Sequence, residues 1–410
     1  MSVGIESINP YVGQTYIGVP EIFAVRGLDD SRMANLMMRE KSVNLPWEDP
    51  ITNAVNAAAP LLAAMSEEEQ RDFEAVIVGT ESGIDFGKPM STYVHHHLGL
   101  PRYVRSFEVK HACYGGTAAL SSAVGMVSTS PNPRAKALVI ATDAASVAAR
   151  NTYWEPSQGA GAVAMVISRS PEILALDPGA NGFYSYEVMD TCRPRADLEA
   201  GDSDMSLLSY LHCLEQCFSR YQQRVETADF RQTFDYLAFH TPFAGMVKGA
   251  HRTLMRKHGH RAAEVIDDDF QRRLAPSTEY CTRIGNVYSA ALYLSLCSLI
   301  DRGDFTSPRR VGLFSYGSGC ASEFYSGVVP TTAAPALRRL GVGSAIASRR
   351  RLEMEEYEVI VDACMEWKCG VRDKTMDRGA AASIYEEKFA GARLLTLTGV
   401  QQFHREYDWS

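Results

Sequence analysis

The chain has 410 residues, 46% hydrophobic and 22% charged, and its 41 Lys and Arg stand against 49 Asp and Glu for a net charge of −8. That composition supplies a large core, in two domains or one duplicated unit, and its acidic balance argues against nucleic acid or an anionic membrane surface as a partner. Nine cysteines without CxxC pairs fit reduced thiols better than a disulfide framework or a zinc site, so no metal is expected.

The opening Met1-Ser2-Val3-Gly4-Ile5-Glu6 is mixed rather than charged and then apolar. No uninterrupted apolar run approaches the roughly 18 residues of a membrane span, so a soluble cytoplasmic protein is expected. The first strand-like run of chemical interest, Glu74 to Thr80, ends in Glu81-Ser82-Gly83-Ile84-Asp85 and sets a carboxylate at the lip of a sheet. His95-His96-His97 does not read as a metal site, because consecutive helical residues lie about 100° apart and do not converge on one ion.

An apolar strand from Phe107 breaks at Cys113 and continues as a helix from Tyr114 through Gly115, Gly116 and several alanines. A cysteine at such a helix start faces free backbone N–H groups and the positive end of the dipole, which favour a thiolate suited to acyl transfer. A buried structural cysteine is the alternative. Ser128 to Pro133 reads as a loop, and the turn Gln158-Gly159-Ala160-Gly161 opens a strand from Ala162 to Ile167. Asp202 caps a long helix running to about Tyr221, an insertion placed to shape an entrance.

The run Phe234 to Phe239 ends in His240, doing for an imidazole what the earlier strand does for Glu81. Lys248, His251, Arg252, Arg256 and Lys257 then recur at helical spacing, either as a positive patch or as an ordinary solvated face. A small-residue helix begins near Asn286, and the turn Gly317-Ser318-Gly319 opens a strand from Ala321 to Val329. Pro330 to Pro335 reads as a linker, the charges from Arg349 as a solvated helix face, and the last 40 or so residues carry no legible chemistry.

Strand ending in an acid or imidazole, small-residue helix and Gly-rich turn thus occur twice. The order predicts an α/β fold of two halves with sheets packed face to face, 1–170 carrying the nucleophile and 171–410 carrying the His and Asn motifs, the inserted helix and a C-terminal extension. An acyl group on Cys113 would be a thioester with an acidified α-carbon, for which Glu81, its pKa raised by partial burial, is the candidate base. His240 and Asn286 would hold an incoming carbonyl, and the backbone N–H groups of Cys113 and Ser318 would form an oxyanion hole. Glu81 as a cap partner, His240 as a core histidine and Asn286 as a turn residue are the structural alternatives.

Glu81 in Gly-Thr-Glu-Ser-Gly-Ile-Asp, Cys113 in Ala-Cys-Tyr-Gly-Gly-Thr, His240 in Phe-His-Thr-Pro-Phe, Gly285-Asn286 and Ser315-Tyr316-Gly317-Ser318-Gly319 together resemble the motifs of 3-hydroxy-3-methylglutaryl synthases. The resemblance covers nearly all of the chain. It implies the thiolase fold, duplicated halves in five αβαβα layers, with Cys113 acylated, Glu81 as general acid and base and His240 positioning the acceptor. Asp85, Asp143 and Asp190 fall where that family places supporting acids.

Met37 to Val43, Ser82 to Lys88, Met246 to Thr253 and Phe403 to Trp409 resemble the branch that installs β-branches in polyketide, including antibiotic, assembly lines. In that branch the donor is acetyl, or propionyl, on an acyl carrier protein and the acceptor a β-ketoacyl carrier protein. The resemblance therefore implies no cofactor beyond the phosphopantetheine thioester that each carrier brings, docking of the acidic carriers at Lys248, Arg252 and Arg256, and a homodimer. The segment 144–156 is shorter than the branch leads one to expect. The mevalonate-pathway enzyme, with coenzyme A on both substrates, is the alternative; a decarboxylating ketosynthase of the same fold would not require Glu81.

Overall fold

The computed structural model describes residues 2–144 and 148–410. Nine strands build its main sheet: β1 (Gly4–Tyr11), β2 (Phe73–Gly79), β3 (Arg105–Val109), β4 (Lys136–Ala144), β5 (Ala160–Ser168), β6 (Leu174–Ser185), β7 (Tyr236–Phe239), β8 (Arg309–Gly317) and β9 (Ala321–Val329). Their order is β7-β8-β9-β6-β1-β5-β4-β2-β3. The seam between β1 and β6 consists of the pairs Gly4–Ala175 and Ile5–Leu174, so the sheet parts there into two leaves. We draw the division between the halves at the turn over residues 169–173.

Alternation along the strands assigns the layers, since successive side chains leave a strand on opposite faces. In the first leaf Ala75 and Ile77 of β2 and Ala137, Val139 and Ala141 of β4 point inward, as do Val311 and Leu313 of β8 in the second leaf. Between the leaves lie α2 (Gly115–Thr129), α5 (Ala275–Ile284) and α6 (Ala291–Arg302), which join those residues in one buried core. Val76, Val78, Leu138 and Ile140 point outward against α1 (Pro50–Ala63). Leu237, Phe239, Phe314 and Phe324 of the second leaf point outward against α3 (Ser203–Arg224) and α4 (Ala244–Lys257). The result is the five-layered αβαβα arrangement of the thiolase fold. Each fully buried Val, Leu, Ile or Phe adds about 1.5–3 kcal/mol to these layers.

Local chemistry starts the helices. Asp49 accepts hydrogen bonds from the Ile51 and Thr52 amides ahead of α1, and Asp202 accepts from Asp204 and Met205 at the head of α3. Helix α2 sits close to the first leaf because its start and the end of β2 are glycines. A Cβ on Gly79 would lie 2.5 Å from the Gly115 carbonyl oxygen.

Three expectations are corrected. Pro330 to Pro335 is no linker: helix Ala333–Arg339 starts inside it and sends Ala333, Ala334 and Leu337 into the central core. Pro335 falls in the first helical turn, where its missing N–H leaves nothing unpaired. The charges from Arg349 form a solvated helix face only from Glu353 on, where helix Met354–Met365 starts with Glu353 and Glu355 exposed. Arg349 is buried, donating to Ser42, Glu40 and the Arg283 carbonyl, and Arg350–Arg351 is a short strand paired with Thr15–Tyr16.

The third correction concerns the C-terminal extension, which sequence order assigns to the second half. Tyr357, Ile360, Val361, Ile384 and Phe389 pack instead on Ile17, Ile22, Val43, Leu45 and Trp47 of the first half. The closing hairpin Leu395–Gln401 and His404–Trp409 backs α1, where Asn56 bonds both backbone groups of Leu395. Of the segment 144–156, residues 145–147 lie outside the described residues. Among the described residues no helix is long and apolar enough to cross a membrane.

Candidate active site

The two leaves deliver their strand ends to one cavity of about 420 Å³. Glu81 follows β2, Cys113 follows β3, His240 follows β7 and Ser318 follows β8; all four line it, together with Asn286, Arg193, Glu199, Tyr210, Tyr288 and Tyr316. Topology thus brings together residues up to 237 positions apart: within each leaf the parallel strands place their carboxyl ends on one side, and the stacked leaves turn those ends to a common cavity.

The nucleophile loop is held tightly. Ala112 carries φ +36° and Tyr114 leads into α2, which makes a sharp elbow with Cys113 at its tip. The turn after β8 presses on that elbow: a Cβ on Gly317 would lie 2.5 Å from the Tyr114 nitrogen. Thr117 on α2 donates to Ser315 at 2.8 Å, so Ser318 is carried to the same spot as Cys113. Asp190 fixes the turn from the other side, accepting from the Tyr316 hydroxyl and from the Gly319 amide at 2.9 Å.

Cys113 Sγ lies 3.5 Å from Glu81 Oε2. Burial raises the Glu81 pKa, Arg193 opposes the rise and Asp143 and Glu199 add to it, leaving the carboxyl at about 8. Burial also pushes the Cys113 thiol well up, and the charges of Glu81 and Asp143 push it further. The helix-start expectation of a thiolate is therefore corrected: two carboxylates and desolvation outweigh the dipole, and Cys113 rests as a thiol donating to Glu81. His240 is 1% exposed, and neither of its ring nitrogens has a partner among the described residues. Burial lowers its pKa to about 3, so the ring is neutral.

The three supporting acids separate. Asp143 is buried beneath the base loop, where one carboxylate oxygen accepts from Thr80 and from the Glu81 and Ser82 amides and the other from the Ser289 amide. Its task is to set the path of the chain on either side of the cavity. Asp190 holds the Ser318 turn. Asp85 is exposed, outside the cavity, and accepts from the Gly87 and Lys88 amides; it is a turn former, and its expected place in the site is corrected. The Asn286 side-chain oxygen accepts from the Tyr288 amide, its backbone N–H donates to the Ser157 carbonyl, and Gly285 before it takes a positive φ of +89°.

The basic patch is also corrected in part. His251 is buried against Asp269, Lys248 pairs with Asp267 and Lys257 pairs with Glu215. Arg252 and Arg256 are exposed on α4, a helix whose first turn lines the cavity through Met246. Sequence reasoning missed Arg193, Glu199 and Tyr288, which surround Glu81. Their signal was faint: Arg193 lies three residues after Asp190, but nothing local shows that a short hairpin folds it back onto the base.

Comparison with known proteins gives a consistent result. The family model for the N-terminal part of hydroxymethylglutaryl-coenzyme A synthase matches residues 2–172, and that for its C-terminal part matches residues 250–369. The polyketide biosynthesis 3-hydroxy-3-methylglutaryl-ACP synthase PksG of Bacillus subtilis is 48% identical over 418 aligned positions, covering 100% of this chain and 99% of that protein. The hydroxymethylglutaryl-CoA synthase of Enterococcus faecalis is 34% identical, covering 88% of this chain and 91% of that protein. Among solved structures, the HMG synthase of the curacin biosynthetic pathway in complex with acetyl donor-ACP superposes with a TM-score of 0.97 at 49% identity, with 100% of both chains covered.

Proposed function

Because this chain belongs to the hydroxymethylglutaryl-CoA synthase family, we propose that it is the carrier-protein-dependent, β-branching member of a polyketide pathway, condensing a Cys113-bound acetyl group with a β-ketoacyl carrier protein. The Cys113–Glu81 contact of 3.5 Å carries this reading, since a base beside the nucleophile is what an enolate-forming synthase needs and a decarboxylating enzyme does not. Full-length identity of 48% to a synthase named for ACP, against 34% over 88% of the chain to one named for coenzyme A, favours carrier-bound substrates.

In the first step the carboxylate of Glu81 takes the Cys113 proton as sulfur attacks the donor thioester, and that proton leaves with the carrier thiol. Glu81 then removes a proton from the acetyl methyl group, and the carbanion attacks the β-keto carbon of the acceptor. The alkoxide regains the proton from Glu81. Neutral His240, its ring nitrogens unpartnered among the described residues, and Asn286 hold the acceptor carbonyls. We assign the thioester oxygen to the backbone N–H groups of Cys113 and Ser318, donors of a kind worth about 3–4 kcal/mol each. Water finally cleaves the bond to Cys113, freeing the new carboxylate while the branched product stays on the acceptor carrier.

Arg252 and Arg256 are the proposed carrier contacts, and the assembly is proposed to be a homodimer. The discriminating experiment presents the enzyme with acetyl-carrier protein and acetyl-CoA in competition and follows its intact mass. Preferential loading from the carrier supports this reading. Equal or faster loading from acetyl-CoA returns the chain to the mevalonate-type alternative.

A further inference from the structure

Glu81 reaches the cavity on one oxygen and is gripped on the other. A hairpin of Thr191–Arg195 and Leu198–Gly201 leans over the base loop. Its Arg193 donates through Nη2 to Glu81 Oε1 at 2.9 Å and through Nη1 to the Glu81 carbonyl at 3.2 Å. The same Nη2 bonds Glu199 Oε2 at 3.1 Å, and Glu199 in turn accepts from the Tyr288 hydroxyl at 3.1 Å. The guanidinium lies 5.0 Å from the centroid of the Tyr288 ring. Arg193 also borders a second, smaller cavity of about 80 Å³ behind Glu81, lined in part by Asn44, Asp49 and Lys368.

We propose that Arg193 is the positioning residue of the base: it turns Glu81 Oε2 toward Cys113 and sets a positive charge against the carboxylate that favours ionisation over burial, while Glu199 and Tyr288 hold Arg193. This rests on the proposed role of Glu81 as acid and base. The grip is not needed to shape the loop, because Asp143 already takes the Glu81 and Ser82 amides and the Thr80 hydroxyl. What Arg193 alone adds is a cation on the carboxylate itself, in a cavity where burial favours the protonated acid.

The groups facing Glu81 divide by sign. Cys113, from the elbow after β3, is a neutral donor; Asp143 at the end of β4 and Glu199 on the hairpin are anionic; Tyr288 ahead of α6 is a neutral phenol. Arg193 is the cation in direct contact with the carboxylate, and Lys368 of the C-terminal extension lies across the smaller cavity from it. Burial works against the charge of Arg193, but Glu81, Tyr288 and Glu199 outweigh it and keep the guanidinium charged. An opposite charge at this range lowers a carboxyl pKa by about 1–3 units, so its removal raises it by the same amount.

The test measures single-turnover condensation of pre-acetylated enzyme with acetoacetyl-carrier protein between about pH 6 and 10, for wild type, Arg193→Gln, Arg193→Lys and Glu199→Gln. Arg193→Gln is expected to accept acetyl, to condense roughly 10- to 1,000-fold more slowly near neutrality and to recover as pH rises, with the midpoint of its acidic limb moved up by about 1–3 pH units. Arg193→Lys keeps the charge and holds most of the wild-type midpoint. Glu199→Gln keeps an oxygen for Arg193 to bond but removes a negative charge near Glu81, and moves the midpoint down. If Arg193→Gln does not fold, Arg193→Met, a neutral side chain of similar reach, takes its place, and a raised midpoint there against a retained one in Arg193→Lys decides the matter. A wild type that never condenses overturns the reading of function; a condensing wild type whose pH profile the variants merely scale overturns the role of Arg193.

Discussion

The reaction turns on where two protons rest, on Cys113 Sγ and on the Glu81 carboxyl. With the acid raised to about 8 and His240 lowered to about 3, the pH dependence carries a definite sign. Condensation needs ionised Glu81, so its rate climbs with pH toward about 8 and shows no further limb near the ordinary histidine value of about 6.5. Rapid-quench kinetics across that range check this; a limb near 6.5 and none near 8 would make His240 the base. Glu81→Gln is expected to load acetyl slowly, because its amide cannot take the thiol proton, and then to fail in condensation by about 10²–10⁴-fold, read by mass of the enzyme and of the acceptor carrier. Cys113, Glu81 and His240 were legible in the sequence because each ends an apolar strand, where local pattern and site coincide. Arg193 was not, since its meaning depends on a hairpin fold-back, and the thiolate expectation failed because the dipole is local whereas Asp143 arrives from another strand.

At the scale of elements, the site depends on α2 lying hard against β2. Gly79→Ala inserts a methyl 2.5 Å from the Gly115 carbonyl oxygen, and backbone cannot yield as a flexible side chain does. The expected outcome is a loss of about 1–3 kcal/mol in stability, seen as a lower thermal midpoint, with acetyl loading impaired as the elbow shifts. Unchanged melting and loading would show that the elbow is not fixed by this approach. On α4, reversal of Arg252 and Arg256 to Glu is expected to raise KM for the carrier and to reduce its salt sensitivity while leaving single-turnover chemistry intact; an unchanged KM moves docking elsewhere. Elements with a continuous apolar run or a clear cap, such as β5 and α3, were readable before folding. The Pro330 to Pro335 segment, buried Arg349 and the strand after it were not, because prolines and arginines look solvent-seeking until a core helix, the Arg349 partner Glu40 or the strand partner Thr15–Tyr16 is supplied from a distance.

For the whole molecule, the nine-stranded sheet leaves β3 as an open edge, an arrangement that soluble proteins cover or pair. Tyr103, two residues before it in sequence, stands fully exposed. A two-fold pairing of β3 edges would cover that edge and Tyr103 beside it, so light scattering is expected to give about twice the chain mass of 45.2 kDa, and Tyr103→Glu to shift the assembly toward monomer. A wild-type monomer with full activity would contradict this. Duplication of the halves was visible in the repeated order of motifs, but the return of the C-terminal extension to the first half was not, because no local pattern encodes so long a contact. The central claim is carrier-bound condensation at Cys113, and the mass of the acceptor tests it most directly. With acetyl-carrier and acetoacetyl-carrier proteins supplied together, the acceptor carrier is expected to gain one acetyl group plus the elements of water, and to gain nothing with Cys113→Ala; the same gain in that variant, or no gain with wild type while coenzyme A substrates condense, would contradict the account.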